Sequence, residues 1–322
     1  MSAAKSSTGT GTIATADAES YRGRFAPSPT GPLHFGSLVA AVGSYLEARV
    51  HRGSWSLRIE NVDRTREVPG AADNILRTLA ALGFEWDGPV VYQSDRTPAY
   101  DAALDRLAGA GLVYPCSCSR TEIEAALQGA PTTGDELRYP GTCRSGPRHP
   151  GRPLATRFRV PAGLVRFVDD LQGECSQDVA AEVGDFVVRR RDGYVAYQLA
   201  VVVDDAALGV THVVRGADLL DNTPRQIQLQ RALGLPVPRY AHLPLAVDAA
   251  GAKLSKSAQS LPVDPTQGGP VLWQALAFLQ QAPPASLASA GIADVWAWAR
   301  GQWDLSRLRG QTRGRAPAIQ AN

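Results

Sequence analysis

Lysine is rare in this chain, and two of its three lysines stand close together. Lys253 and Lys256 lie in the pentapeptide KLSKS, and arginine supplies 30 of the 33 basic side chains. A lysine carries a compact ammonium on a flexible stem, whereas the guanidinium of arginine is a planar fork. A site that must follow a moving phosphate group can require the flexible ammonium. We therefore predict that Lys253 and Lys256 contact phosphate.

A second candidate for anion chemistry is the loop RFAPSPTGPLHFGS, residues 24–37. It leads into apolar residues at helical spacing, and the unpaired N–H groups at the start of a helix favour bound anions. Gly36 allows a ligand to approach the backbone closely, and His34 can donate a hydrogen bond to a phosphate oxygen. Taken alone, a Pro-Gly loop is most often only a turn.

The cysteines form a candidate metal site. Cys116 and Cys118 are separated by one residue, Cys143 follows 25 positions later, and Cys175 stands apart and is expected in the core. In a reducing compartment this spacing favours a metal over a disulfide. Three thiolates are one short of the tetrahedral set of zinc, and general frequency favours His149 as the fourth ligand. Three free buried thiols are the alternative interpretation.

Alternating predicted strands and helices position these residues. The stretches YRGRFA, SWSLRIEN and VTHVVRG are typical of strands, and the alternation in SWSLRIEN places Arg58 opposite its apolar residues. The stretches LVAAVGSYL, ADNILRTLAALGF, VLWQALAFL and VWAWAR are typical of helices, the second ending at Gly83. A further helix is capped by Asn222 or Thr223 with Pro224 in its first turn. YVAYQLAVVVDD is a buried strand or a buried helix. The pattern predicts an α/β fold with a parallel sheet covered by helices.

Composition limits the class of protein. The net charge of +2 excludes a general electrostatic nucleic-acid binder, and no apolar run is long enough to span a membrane. The first twenty residues lack the apolar block of a secretory signal, so we expect a cytoplasmic protein.

The predicted segments are a flexible tail (1–20), two halves of a catalytic domain (21–115 and 166–240), a cysteine-bearing insertion (116–165), a mainly helical C-terminal domain (241–305) and a solvated basic tail (306–322).

Several ordered motifs resemble the class I aminoacyl-tRNA synthetases. HFGS resembles their HIGH signature and KLSKS their KMSKS signature, although Ser37 replaces the last histidine and Leu254 the methionine. The longer strings RFAPSPTGPLHFGSL, LRIENVD, AYQLAVVVDD and VVRGADLL are similar to the glutamyl branch of that class. The resemblance implies a Rossmann-like parallel sheet and activation of glutamate by ATP, and Mg²⁺ is expected with the ATP on chemical grounds.

The resemblance also implies roles for individual residues. It assigns ATP binding to His34, Gly36, Ser37, Lys253 and Lys256, with His34 and the two lysines as the catalytic groups. Glutamate has two carboxylates and one ammonium, which require cationic forks, one anion and a hydroxyl. The resemblance assigns Arg24 and Arg215 to the carboxylates, Glu60 to the ammonium and Tyr197 to a hydroxyl contact. It also implies that the backbone around Phe25, Ala26, Pro27 and Ser28 lines the pocket.

Within the glutamyl branch, the chain resembles a truncated group, the glutamyl-Q tRNA(Asp) synthetases. Only 65 residues follow Ser257, so we expect no anticodon-reading domain after KLSKS. In this group a tyrosine completes the zinc set, which implies Cys116, Cys118, Tyr139 and Cys143 as zinc ligands. The implied reaction transfers glutamate to the queuosine base at the wobble position of tRNA(Asp), by a monomer. The alternatives are charging of an ordinary tRNA 3′ end and a non-catalytic RNA-binding relic.

Overall fold

The computed structural model describes residues 20–127, 137–248, 251 and 262–316. Lys253 and Lys256 lie outside these residues, so their phosphate contacts stay predictions. No helix within the described ranges is long and apolar enough to cross a lipid bilayer.

A largely parallel sheet forms the centre of the fold. Its first part pairs parallel strands in the order β1 (Arg22–Phe25), β2 (Ser54–Ile59), β3 (Val91–Tyr92). Its second part has the order β9 (His212–Gly216), β10 (Arg239–Leu243), β6 (Val165–Asp169), β7 (Gly173–Gln177), with only β7 antiparallel to its neighbour. The N–H of Thr211 donates to the carbonyl of Arg22 at 3.0 Å, which places β9 beside β1. The strand order therefore reverses between β1 and β9, where open α/β sheets bind ligands.

Two hydrophobic clusters cover the two faces of this sheet. Val214 and Ala241 point into the first cluster, whereas their chain neighbours Val213 and Tyr240 point into the second. This alternation is the period of two that a strand imposes on its side chains. The first cluster includes α1 (Phe35–Val50) and α2 (Ala71–Ala81). The second includes α3 (Thr97–Gly109), α6 (Tyr197–Ala207) and α7 (Thr223–Ala232).

A separate antiparallel sheet carries Cys116 at the end of one strand: β5 (Ala155–Phe158) lies between β4 (Val113–Cys116) and β8 (Val187–Arg189). After β4 the chain forms α4 (Arg120–Ala126), which Ser119 and Glu122 begin with a capping box. The short helix α5 (Val179–Glu182) precedes β8. The predicted boundaries of the cysteine-bearing insertion stay a prediction.

The C-terminal helices pack on the first cluster. The predicted helices appear as α8 (Gly268–Phe278) and α9 (Ile292–Gln302), and both contact α1. Beyond them residues 306–316 remain folded against the domain, while their arginines are exposed as a solvated basic tail predicts. Leu308 is fully buried, and β12 (Arg313–Arg315) pairs with β11 (Leu245–Val247). The arginines of β12 alternate with a glycine, which gave no apolar signal for a strand.

The strands and helices around the sheet agree with the sequence in most places. The predicted strands β1, β2 and β9 and the helices α1, α2 and α7 are confirmed. Gly83, with φ of 76°, follows α2 in the left-handed conformation that a glycine adopts without strain. The ambiguous stretch YVAYQLAVVVDD forms the helix α6. Arg58, on the polar face of the alternating strand β2, is nevertheless fully buried.

Candidate active site

A pocket of about 320 Å³ opens where the strand order reverses. Its walls come from the ends of β1, β2, β9 and β10 and from the start of α1 and α6. The structure brings together there every residue that the sequence predicted for glutamate, and three of those predicted for ATP. They are Arg24, Phe25, Ala26, Pro27, Ser28, Glu60, Tyr197, Arg215, His34, Gly36 and Ser37.

Arg215 offers a buried guanidinium to this pocket. Its side chain is buried, and its Nε donates to Nε2 of His242 at 3.0 Å. Its Nη2 donates to Oγ1 of Thr223 at 2.9 Å and to the carbonyl of Leu219 at 3.3 Å. Among the described residues, Nη1 is buried without a hydrogen-bond partner. A buried donor without a partner is costly, so this atom is a strong candidate for a ligand oxygen.

His242 is held as a neutral imidazole between Arg215 and Asp169. Its Nδ1 lies 2.6 Å from Oδ2 of Asp169, and both side chains are fully buried. Because a guanidinium can only donate, Nε2 of His242 accepts from Arg215 and its proton is on Nδ1. Burial lowers the pKa of His242 and outweighs the opposite effect of Asp169. Burial favours a higher pKa for Asp169, but the hydrogen bond from His242 and backbone N–H groups hold that pKa below its usual value.

Arg24 and Glu60 are joined by a buried ion network. Oδ1 of Asp205 accepts from Nε of Arg24 at 3.3 Å and from Nη1 of Arg58 at 2.5 Å. Nη2 of Arg58 donates to Oε1 of Glu60 at 3.0 Å. Burial favours a lower pKa for Arg58, but the charges of Asp205 and Glu60 raise that pKa overall. The network holds two of the predicted ligand contacts in place on β1 and just after β2.

The pKa values of Glu60 and Tyr197 are both shifted by their surroundings in the pocket. Burial raises the pKa of Glu60 against the opposing charges of Arg58 and Arg24. A ligand ammonium beside it would favour the ionised form. Burial, followed by the charge of Glu60, also raises the pKa of Tyr197, so its phenol stays a hydrogen-bond donor. The pocket therefore combines two guanidinium groups, one carboxyl and one phenol.

The loop before α1 forms the other side of the pocket. His34 caps α1, since its Nδ1 accepts from the backbone N–H of Ser37 at 3.2 Å. A neighbouring cavity of about 270 Å³ shares His34 and Ser37 with the main pocket and is also lined by Pro262. The N–H of Val263 donates to the carbonyl of Leu33 at 2.8 Å. The chain that follows the KLSKS segment therefore pairs with the backbone beside His34.

The predicted zinc ligands lie together at the end of β4 and in the segments that follow it. The sulfur atoms of Cys116, Cys118 and Cys143 all lie within 4.8 Å of one another and are buried. The hydroxyl of Tyr139 is 3.3 Å from the sulfur of Cys116 and 3.7 Å from that of Cys118. The guanidinium of Arg157 lies over the ring of Tyr139 at 3.7 Å. Three sulfurs and one oxygen at this spacing fit a tetrahedral zinc ion, and the arginine would offset the negative charge of the thiolates.

The alternative fourth ligand is engaged elsewhere. Nε2 of His149 lies 3.0 Å from Oε1 of Glu122, and its backbone N–H donates to Ser117. The arrangement favours Tyr139 over His149 as the fourth ligand. Cys175 is partly exposed on β7, so the expectation of a core residue is wrong.

The sequence did not identify the buried partners of the pocket residues. Asp169, His242, Arg58 and Asp205 each hold a predicted contact in place. Asp205 ends the acidic pair in AVVVDD, and an acidic pair after an apolar run could have been a signal for it. Asp169 opens a similar acidic pair in FVDD, whereas we find no comparable signal in the sequence for His242.

Comparisons with known proteins place the chain in a family. The family profile "tRNA synthetases class I (E and Q), catalytic domain" matches residues 20–268. The glutamyl-Q tRNA(Asp) synthetase of Dechloromonas aromatica is 58% identical over 91% of this chain and 97% of its own length. That of Geobacter sulfurreducens is 55% identical over 89% of this chain and 93% of its own length. The chain belongs to the glutamyl-Q tRNA(Asp) synthetase family of class I synthetases.

A solved structure extends the likeness beyond the glutamyl-Q tRNA(Asp) synthetase family. A glutamate tRNA ligase from Elizabethkingia meningosepticum, crystallised in complex with its amino acid, superposes with a TM-score of 0.74 at 26% identity. The match covers 93% of this chain and 68% of that one. The class I fold predicted from the motifs is therefore confirmed. Class I synthetases use ATP with Mg²⁺, and their substrates are an amino acid and a tRNA.

Proposed function

We propose that this protein activates L-glutamate with ATP and transfers the glutamyl group to the queuosine base of tRNA(Asp). The observation that carries the first step is the pocket in which Arg24, Glu60, Tyr197 and Arg215 converge. The names of relatives that share more than half of this sequence over nearly their whole length support the acceptor. The reaction would take place in the cytoplasm, by a monomer.

The charges of the pocket support glutamate as the amino acid. Arg215 provides a buried Nη1 without a partner among the described residues, which suits a carboxylate oxygen. Arg24 would contact the second carboxylate, although it shares its charge with Asp205. Glu60 would pair with the ammonium, and the phenol of Tyr197 would donate to the ligand. A neutral amide such as that of glutamine would leave the charge of an arginine uncompensated in a buried site, which is costly.

ATP would lie over the start of α1. The cavity beside His34 and Ser37 continues the amino-acid pocket, and the unpaired N–H groups of a helix start favour phosphate. Lys256 precedes Pro262 by six residues, and the backbone of Pro262 bridges to that of His34. A chain of this length spans at most about 20 Å. Lys256 is thus tethered near enough to reach the phosphates, and Lys253, three residues earlier, would assist it.

The chemistry consists of two displacements without a covalent enzyme intermediate. In the first, a carboxylate oxygen of glutamate attacks the α-phosphorus of ATP, and pyrophosphate leaves. The fixed cations around the reacting groups stabilise the charge that develops there. In the second, a hydroxyl of the queuosine ring attacks the acyl carbon, and AMP leaves with the bonding electron pair. Mg²⁺ bound with ATP would neutralise phosphate charge.

We further propose that Cys116, Cys118, Tyr139 and Cys143 hold one structural zinc ion. Zinc would cross-link the end of β4 to the segment that follows residue 137, and these residues offer a closed set of four donors. A phenol is an unusual ligand, and burial with the neighbouring cysteines raises the pKa of Tyr139 in the metal-free protein; a bound zinc ion would favour the ionised oxygen. The site lies outside the glutamate pocket, so zinc takes no part in either displacement.

The proposal is tested by pyrophosphate exchange into ATP, followed by transfer. Without RNA, we expect exchange that depends on L-glutamate and is far weaker with L-glutamine or L-aspartate. A non-catalytic relic predicts no exchange with any amino acid. Transfer of labelled glutamate is then measured on tRNA(Asp) with and without queuosine. Equal transfer to both would favour charging of a tRNA 3′ end and contradict the proposed acceptor.

A further inference from the structure

The segment that follows α9 is attached to the catalytic domain at two places. Its strand β12 pairs with β11, and two residues of β11, Leu245 and Ala246, line the active-site pocket. Before β12, the N–H of Gly310 donates at 2.9 Å to the carbonyl of Leu171, in the turn between β6 and β7. The segment therefore connects that turn with a wall of the pocket.

The position of β11 depends on β12. Among the described residues β12 is its only strand partner, and β11 is three residues long. The N–H of Leu245 donates to the carbonyl of Thr312, and the N–H of Ala316 donates to the carbonyl of Val247, both at 2.9 Å. An isolated pair of strands is only marginally stable, so further contacts of β12 should decide where β11 lies.

One such contact joins β12 to the start of α1. A Cβ atom at Gly314 would lie 2.9 Å from the ring of Phe278, so the backbone of β12 packs directly on this ring. The same ring meets that of Phe35, the first residue of α1, edge to face at a centroid distance of 5.8 Å. Because β11 also contacts α1, the two strands border the helix whose start we assign to ATP.

The side chain of Gln172 joins the same segment to the central sheet. Its Nε2 donates to the carbonyl of His242 on β10 at 2.9 Å and to the carbonyl of Gln311 at 3.0 Å. An amide nitrogen carries two hydrogens, so these two acceptors use its whole donor capacity. The backbone N–H of Gln172 donates to Oδ1 of Asp169 at 2.9 Å. Gln172 is therefore fixed on the sheet and holds the chain two residues before β12.

We infer that Gln172 is a positioning residue for the ATP side of the active site. Through Gln311 it holds β12, β12 holds β11, and β11 presents Leu245 and Ala246 to the pocket beside α1. The inference rests on the proposed function, because it concerns the placement of ATP in that reaction. It also gives the C-terminal segment a role in activity that no motif in the sequence indicates.

The test removes the amide bridge and leaves the backbone intact. Gln172→Leu removes both donors at similar size, whereas Gln172→Lys keeps a flexible donor for the two carbonyls. The matched control is Gln302→Leu, an exposed glutamine at the end of α9 that lines neither cavity of the active site. The KM values for ATP and for glutamate are measured by pyrophosphate exchange. Amide hydrogen exchange of residues 245–247 and 313–315 is measured by mass spectrometry without ligands.

In Gln172→Leu we expect the KM for ATP to rise about fivefold, the size of one net hydrogen bond. The KM for glutamate should stay within about twofold of the wild type, which also shows that the variant folds. The amides of β11 should exchange hydrogen faster than in Gln302→Leu, because the strand opens more often. Gln172→Lys should recover most of the affinity for ATP.

A KM for ATP in Gln172→Leu equal to that in Gln302→Leu would overturn the inference. An equal rise of both KM values, without recovery in Gln172→Lys, would also overturn it, since general damage to the fold predicts that result. Absence of pyrophosphate exchange in the wild type would instead refute the proposed function. The comparison of amide hydrogen exchange would then decide by itself whether Gln172 holds β11.

Discussion

Nε2 of His242 accepts a hydrogen bond from Nε of Arg215 at 3.0 Å. Arg215 lines the glutamate pocket, and His242 is fully buried behind it. On its far side the same imidazole donates to Asp169. The chain of three residues crosses β6, β10 and β9, so the parallel sheet itself fixes the angle of the guanidinium. Because the imidazole is neutral, it orients Arg215 without neutralising it. His242 thus acts as a positioning residue for the cation that we assign to a substrate carboxylate.

Substitution of His242 should therefore affect glutamate more than ATP. In His242→Ala we expect the KM for glutamate in pyrophosphate exchange to rise about tenfold, the cost of one hydrogen bond to a charged group. The KM for ATP should stay within about twofold of the wild type, because the ATP site lies at α1.

A conservative variant distinguishes positioning from general damage. His242→Gln keeps an acceptor for Arg215 and should recover part of the lost affinity for glutamate. Equal increases of both KM values in His242→Ala, with no recovery in His242→Gln, would contradict the positioning role.

Glutamate should bind more weakly as the pH falls. Burial raises the pKa of Glu60 above its ordinary 4.5, so this carboxyl takes up a proton earlier than an exposed one as the pH falls. Once it is neutral it no longer attracts the substrate ammonium. We expect the KM for glutamate to rise as the pH falls toward about 5, where ordinary carboxyls are still ionised.

The matched variant is Glu60→Gln, which cannot titrate. Its KM for glutamate should be high, roughly a hundredfold above the wild type, as expected for loss of a buried charge partner. It should also change little over the same pH range. A wild-type KM that is flat over this range would show that Glu60 does not carry the ammonium contact.

The ion network around Arg58 should make a large contribution to the free energy of unfolding. Arg58→Met leaves Glu60 without its ion-pair partner and Asp205 with Arg24 alone, and we expect a loss of about 3–5 kcal/mol in the free energy of unfolding. Urea denaturation at neutral pH measures it. Burial favours a higher pKa for Asp205, but the charges of Arg58 and Arg24 depress it below 3.8. The stabilisation from Asp205 is therefore present above pH 3.8 and is lost as the pH falls through the depressed pKa.

An exposed ion pair provides the control for this loss. Arg66 pairs with Asp63, and its side chain is 71% exposed. Arg66→Ala should change the free energy of unfolding by less than about 1 kcal/mol. A comparably small change in Arg58→Met would mean that the buried network does not stabilise the fold.

Metal analysis of the purified protein tests the zinc proposal without an activity assay. We expect one zinc ion per chain in the wild type and in Cys175→Ser, since Cys175 lies apart on β7. Cys143→Ser should lose most of the metal, because the hard hydroxyl is a poor zinc ligand. Tyr139→Phe should bind zinc more weakly, whereas His149→Ala should retain it. Retention in Tyr139→Phe together with loss in His149→Ala would reverse the choice of the fourth ligand.

The sequence predicted the residues that line the pocket better than the buried residues that hold those side chains in position. Arg24, Glu60, Tyr197 and Arg215 stand in recognisable motifs, and the structure brings them to one pocket. His242 and Asp169 are 73 residues apart in the chain and meet only because β10 pairs with β6. Contacts of this kind are set by the order of strands in the sheet, which periodicity does not report.

Local sequence patterns also failed to predict burial where a polar residue is buried in the fold. Arg58 stands at a polar position of an alternating strand, yet its partners Asp205 and Glu60 allow it to be buried. The helix α6 is apolar on most sides, and periodicity cannot distinguish such a helix from a buried strand. The segment after α9 has few apolar residues, but Leu308 and the pairing of β12 with β11 are enough to fold it onto the domain.

Transfer of labelled glutamate to an isolated anticodon stem-loop of tRNA(Asp) tests the central claim most directly, because this RNA lacks the acceptor end of a tRNA. With ATP and the purified protein, we predict stable incorporation into the stem-loop that carries queuosine and none into the same stem-loop with guanosine at that position. Incorporation that requires the intact acceptor end and ignores queuosine would contradict the account.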